Sequence, residues 1–327
     1  MRTARCLAIV AIASLAACRT GAPGTATVES TAPVTTAAPA GRAVPGTGVR
    51  LVVPDGFAID EIGQSLVCVT TIACGDTSMF VAWRTASSDA EPARVFADGV
   101  GRERGQGHAV QRLSVGGHDA VRIDADADTV NPGVVVREYR VLVGVRTVRL
   151  RIDSRDGQGD ALRALSTSVE QATIGDELAP IDRGWTLTDS TLRLHESSPR
   201  YADLGPGERP SATEPSIAIS YGCYAEPATT DDARRDVARA TMVAQGVTVV
   251  SSASVTVDTV DAWEVRGTVM HGGTAWRSWS VMVFRPGHPL VVVAEHDPAA
   301  GDEPMALYQA TLAALRFTAA TDAHPCP

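Results

Sequence analysis

The sequence predicts an α+β fold made of two tandem domains, each an antiparallel sheet with helices packed on it. Three observations lead there. Val121, Ile123, Ala125 and Ala127 alternate with Arg122, Asp124, Asp126 and Asp128, and Val148, Leu150 and Ile152 alternate with Arg149, Arg151 and Asp153. That period of two belongs to strands with one buried and one solvated face. Segments such as EPMALYQATLAALRF instead put Leu307, Thr311, Ala314 and Leu315 on one side of a 3.6-residue helix. Finally, the order of these segments in the first half recurs in the second, and such self-similarity outranks local readings.

The chain starts with a short basic region, Arg2 and Arg5, followed by an apolar run from Cys6 to Leu15. The run suits a signal peptide and is too short to span a bilayer, which takes roughly 20 residues. It ends in Leu15-Ala16-Ala17-Cys18, which resembles the lipobox of bacterial lipoproteins. The resemblance implies cleavage before Cys18 and a diacylglyceryl thioether on its sulfur. Residues 1–17 are then a lipoprotein signal peptide. Residues 18–48 are the lipidated cysteine and a tether rich in Thr, Ala, Pro and Gly, with no period and no aromatic residue, which cannot bury enough apolar area to order itself.

The two halves follow at residues 49–177 and 178–327. Each reads as two strands, a helix, four strands and a helix. Pro92 falls in the first turn of one predicted helix, where proline is tolerated, and Asp231 and Asp232 open its counterpart, where acids favour the helix dipole. Tyr139 falls opposite Trp279, and the closing helices are GDALRALSTSVEQA and EPMALYQATLAALRF. A duplicated core retains large aromatics at equivalent places, so both rings are expected to be buried. This order, with Pro54-Asp55-Gly56-Phe57 at its start, resembles the PsbP/Mog1-like superfamily, which includes the LpqN-type lipoproteins of actinobacteria. The second half departs from it, with DRGWTLTD at the corresponding place. The resemblance implies an adaptor or accessory role, and it carries no invariant motif over to this chain.

Composition narrows the chemistry. Net charge is −9, and more negative once Arg2 and Arg5 are cut away, which argues against nucleic acid as a partner. All basic residues are Arg; without Lys there is no P-loop lysine, no Schiff base and no Ser-x-x-Lys acyl-enzyme. Cys68, Cys74, Cys223 and Cys326 are expected to form disulfides in an oxidising compartment. Three pairings are open, and Cys68–Cys74 with Cys223–Cys326 keeps one bond within each half, provided the chain bends between Cys68 and Cys74. No spacing suits a metal, and no cofactor loop is present.

The remaining candidates have plain structural readings. Asp124, Asp126 and Asp128 read as a solvated strand face, paired with Arg122, Arg149 or Arg151. His271-Gly272-Gly273 reads as a hairpin turn. His195-Glu196 lacks a second histidine at metalloprotease spacing. Trp276 and Trp279 are three apart on one strand and so point to opposite faces; Trp279 is expected in the core, which leaves Trp276 as the possible binding surface. The function expected is that of a non-catalytic, membrane-tethered cell-envelope lipoprotein that binds a partner protein or an apolar ligand. The alternative is an envelope hydrolase whose site is assembled only in the fold.

Overall fold

Alternating apolar residues make strands the commonest element among the described residues. The computed structural model describes residues 41–60, 64–68, 74–125, 133–155, 159–179, 183–188, 191–198, 201–211, 214–221, 228–285 and 289–318. They divide into two units, the first ending at Ile181 and taking in Ser197–Pro199, the second starting at Asp182.

The first unit comprises β1 (Arg42–Ala43), β2 (Val49–Leu51), β3 (Phe57–Asp60), β4 (Ser65–Cys68), β5 (Ser78–Thr85), α1 (Pro92–Gly105), β6 (Ala109–Val115), β7 (His118–Ala125), β8 (Val134–Val143), β9 (Arg146–Arg155), α2 (Gly159–Glu170) and β10 (Thr173–Ile174). Its strand order is β3-β4-β5-β9-β8-β7-β6, antiparallel at every step, with β1, β2 and β10 in a small separate sheet. Val81, Tyr139, Val141, Val148, Leu150 and Ile152 are buried on the side that carries α2, where Tyr139 Oη donates to Glu170 at 3.1 Å. Val121 and Ile123 pack the other way, against Val100 and Phe96 of α1.

The second unit comprises β11 (Trp185–Leu187), β12 (Arg193–Ser198), β13 (Tyr201–Gly205), β14 (Ser216–Tyr221), α3 (Asp231–Ala244), β15 (Thr248–Val257), β16 (Val260–His271), β17 (Thr274–Val283), β18 (Leu290–His296), α4 (Glu303–Ala314) and β19 (Leu315–Phe317). Its sheet runs β12-β13-β14-β18-β17-β16-β15, and β11 pairs with β19. Thr230 caps α3 by accepting from the Ala233 amide at 3.2 Å, and Asp231 and Asp232 sit in its first turn. One core lies under α4, where Trp279 stacks on Tyr308 with ring centroids 5.5 Å apart. Another lies under α3, where Ala238 and Met242 meet Val265, Val269, Met282 and Val291.

Three expectations are corrected. The α+β assignment is overturned: the described residues are 49% strand and 23% helix, with seven strands of extended antiparallel sheet in each unit against four α-helices in all. The sequence pattern undercounts strands because two- and three-residue strands show no period, and because short polar stretches such as Arg193–Ser198 lack a clean apolar face. The tether boundary at residue 48 also runs too far. Arg42 and Ala43 pair with β2, Val44 is fully buried, and Trp83 Nε1 donates to the Gly46 carbonyl at 2.9 Å. Third, the side of β7 that carries Asp124 is not a solvated face, since α2 lies over it. Asp124 accepts from Arg122 Nε at 3.0 Å and Arg137 Nε at 2.5 Å. Arg149 pairs instead with Glu138, and Arg151 with Asp153 at 2.8 Å. Asp126 and Asp128 lie outside the described residues.

Candidate functional site

The hairpin joining β16 to β17 turns on Gly272 and Gly273, with φ of 57° and 88°. Two successive left-handed residues are what a tight two-residue hairpin needs, and only glycine adopts them without strain. The turn fixes the register, so Val269 faces Trp276 and His271 faces Thr274. Trp276 therefore lies on the α3 side of the sheet, at the rim of the Met242 cluster, while Trp279 points into the core beneath α4.

Beside Trp276, the His271 ring stands edge-on at 5.6 Å between centroids. His271 Nε2 lies 2.6 Å from Glu295 Oε2, a hydrogen-bonded pair with both side chains part-exposed. Glu295 is held from behind, since its backbone carbonyl accepts from Tyr308 Oη of α4 at 3.2 Å. Across from Glu295 in register stands Ser278, 3% exposed, whose Oγ has no hydrogen-bond partner among the described residues. Indole, imidazole, carboxylate and hydroxyl thus share one side of three adjacent strands.

A part-exposed indole with a polar pair at its edge is the kind of anchor that dominates protein interfaces. A serine hydrolase would need its nucleophile within reach of substrate and of its base. Ser278 is buried, and in register it faces Glu295, not His271.

The other sequence candidates serve structure. His195 is buried, its Nε2 2.7 Å from the Gly207 carbonyl; a Cβ on Gly205 would come within 2.5 Å of its ring. His108 pairs with Glu103 at 2.9 Å, and His118 Nε2 lies 3.0 Å from the Ile174 carbonyl. Among the described residues no group of three or more His, Cys, Asp or Glu could hold a metal ion, and no helix is long and apolar enough to cross a membrane. Cys74 is buried and disulfide-bonded. The side chains of Cys68, Cys223 and Cys326, and all of Cys18, lie outside the described residues.

His296, which no sequence pattern singled out, is 4% exposed, with its ring 5.6 Å from that of Tyr308 and neither ring nitrogen hydrogen-bonded among the described residues. Burial, and then the charge of Arg277, push its pKa below the ordinary histidine value.

No protein-family profile matches this sequence, and no curated protein matches it. Solved structures show a loose likeness. The Tle4–Tli4 complex is similar at 11% identity over 80% of this chain and 97% of that one, with a TM-score of 0.33. The apo immunity protein TplEi of the T6SS from Pseudomonas aeruginosa gives 11%, 80%, 97% and 0.32. Protein PA94 from Pseudomonas aeruginosa is 20% identical over 37% of this chain and 94% of its own, with a TM-score of 0.27. Likeness at this level carries no functional argument.

Proposed function

We propose that this protein is a lipid-anchored cell-envelope protein that binds a partner protein and does not act as a catalyst. The observation that carries the binding reading is the Trp276 patch. A large aromatic at the rim of a packed cluster, flanked by the His271–Glu295 pair, offers an apolar anchor with charge-assisted hydrogen bonds at its edge. A purely apolar ligand would leave that pair without a partner, so a protein surface is the better fit. Leu15-Ala16-Ala17-Cys18 and the Thr/Ala/Pro stretch after it support anchoring. Two or three acyl chains on one residue hold firmly, because each buried CH₂ contributes about 0.8 kcal/mol.

A photo-reactive residue at exposed Thr274, which pairs with His271 and points to the same side of β17 as Trp276, in the full chain expressed with its own leader, tests the binding reading. The expected result is a cross-link to a distinct envelope protein that disappears when Trp276→Ala is added. Absence of any product, or the same product from exposed Gln309 on α4, overturns it. Metabolic labelling with a fatty acid tests the anchor: Cys18→Ala should remove all label, and retained label overturns the anchoring reading.

A further inference from the structure

Among the described residues β15 pairs with β16 on one side and with nothing on the other. Such an edge presents unpaired N–H and C=O groups, and proteins usually guard it with charge, proline or short length. β15 has none of these guards: its ten residues, TVVSSASVTV, include no charge and no proline. A bulge between Val249 and Ser251 disturbs only its first turn of pairing and leaves Ser251–Val257 regular. The corresponding edge of the first unit, β6, is seven residues long with exposed Arg112 at its centre. Pairing β6 with its own copy would set arginine against arginine.

We propose that Ser251–Val257 is the contact through which two copies of this chain pair, edge to edge and antiparallel. A two-fold axis that continues a sheet in this way stands perpendicular to it, so residues of one face meet residues of the same face. Centred on Ser254, the run sets Ser254 against itself, Ala253 against Val255, Ser252 against Thr256 and Ser251 against Val257. Every pair joins small or β-branched side chains, and no like charges meet. Arg239 Nη1 donates to Ser252 Oγ at 3.2 Å, so each copy brings one guanidinium to the seam. In this register the two Ser252 residues stand about 13 Å apart along the strands, beyond the screening length of about 8 Å in physiological salt. The absence of charge that would make a foreign strand non-specific makes this strand complementary to itself, and a two-fold contact closes at two copies.

The mass of the full chain in detergent micelles, measured by sedimentation equilibrium at rising concentration, tests this. The expected result is the mass of two copies for the wild type and for Ser254→Thr, and half that mass for Ser254→Arg with an unchanged circular dichroism spectrum. Ser254→Cys should give a disulfide joining position 254 of one copy to position 254 of another, identified by peptide mapping. Trp276→Ala should still pair, which separates this result from the fate of the partner-binding reading. A single-copy mass for the wild type at every concentration overturns the proposal. So does a well-folded Ser254→Arg that stays paired, or a Ser254→Cys that cross-links in the envelope to a different protein and never to itself.

Discussion

The two units share one strand order and differ in what lies beneath their first helix. Tyr139 and Trp279 occupy matching places: each is fully buried on the third strand from the edge and reaches the closing helix, through Glu170 in one case and Tyr308 in the other. The residues flanking them point to the opposite face, and there the units part. In the first unit Glu138, 5% exposed, accepts from Arg140 Nε at 2.6 Å and from Arg149, and Arg140 Nη2 reaches Glu103 of α1 at 2.5 Å. In the second the same positions hold Ser278, Ser280 and Val293, and α3 sits on an apolar cluster. A sheet order can therefore stay fixed while the seam under one helix changes from ionic to apolar. The ionic seam demands particular partners; the apolar one leaves part of its rim, Trp276 included, for other contacts.

The comparison can be broken most directly at the two rings. Trp279→Ala and Tyr139→Ala should each cost about 3–5 kcal/mol in denaturant unfolding; a loss under about 1 kcal/mol at either site would end their equivalence. The helix seams should separate next. Met242→Ala, under α3, should cost about 2–5 kcal/mol, whereas Val100→Ala, in the small cluster under α1, should cost about 1–2 kcal/mol. Glu138→Gln should cost about 1–3 kcal/mol, because it leaves Arg140 and Arg149 short of a charged acceptor; an unchanged midpoint would show that the ionic seam does not hold α1.

Acid should loosen the units in different windows. His296 lies two residues beyond Ala294, as Ile152 lies two beyond Leu150. With its pKa depressed by burial and Arg277, the folded state binds fewer protons than the unfolded one. Its contribution is whole above the ordinary histidine value near 6.5 and is lost as pH falls from there towards the depressed value. Burial pushes Glu103 up, but hydrogen bonds from His108 and Arg140 outweigh it and hold its carboxyl below its usual 4.5. That contribution is present above the usual carboxylate range and disappears only as pH falls through the lowered value. Hydrogen exchange followed against pH should show protection falling under α4 before it falls under α1. His296→Ile should abolish the earlier loss and leave the later one.

Much of this frame is legible before any coordinates. Val148, Leu150 and Ile152 show a buried face because hard alternation has no other use, and α3 begins at the acidic pair that marks it. Trp276 and Trp279 separate onto opposite faces by count alone. The candidate site is legible only in part. His271 and Glu295 are 24 apart in sequence and meet through strand register, which depends on two glycines and on the length of the connection between β17 and β18. The side of β7 bearing Asp124 looks solvated because its charges are plain in sequence, while the helix that covers them is not.

The pairing of β5 with β9, and of β14 with β18, has a consequence for how the chain assembles. Ser78 meets Asp153, and Ser216 meets Glu295, so each contact closes a loop of about 75 residues at an entropic cost of roughly 4 kcal/mol. The hairpins β6–β7 and β8–β9 close over two-residue turns and form first. Until the meander is complete, β5, with its alternating Met79, Val81 and Trp83, has no partner on its β9 side. The slow step of folding in each unit is then the capture of an early strand by a late one. In that interval the waiting strand can be taken up by a second chain, and crowding during synthesis selects between closure within one chain and a strand-swapped pair.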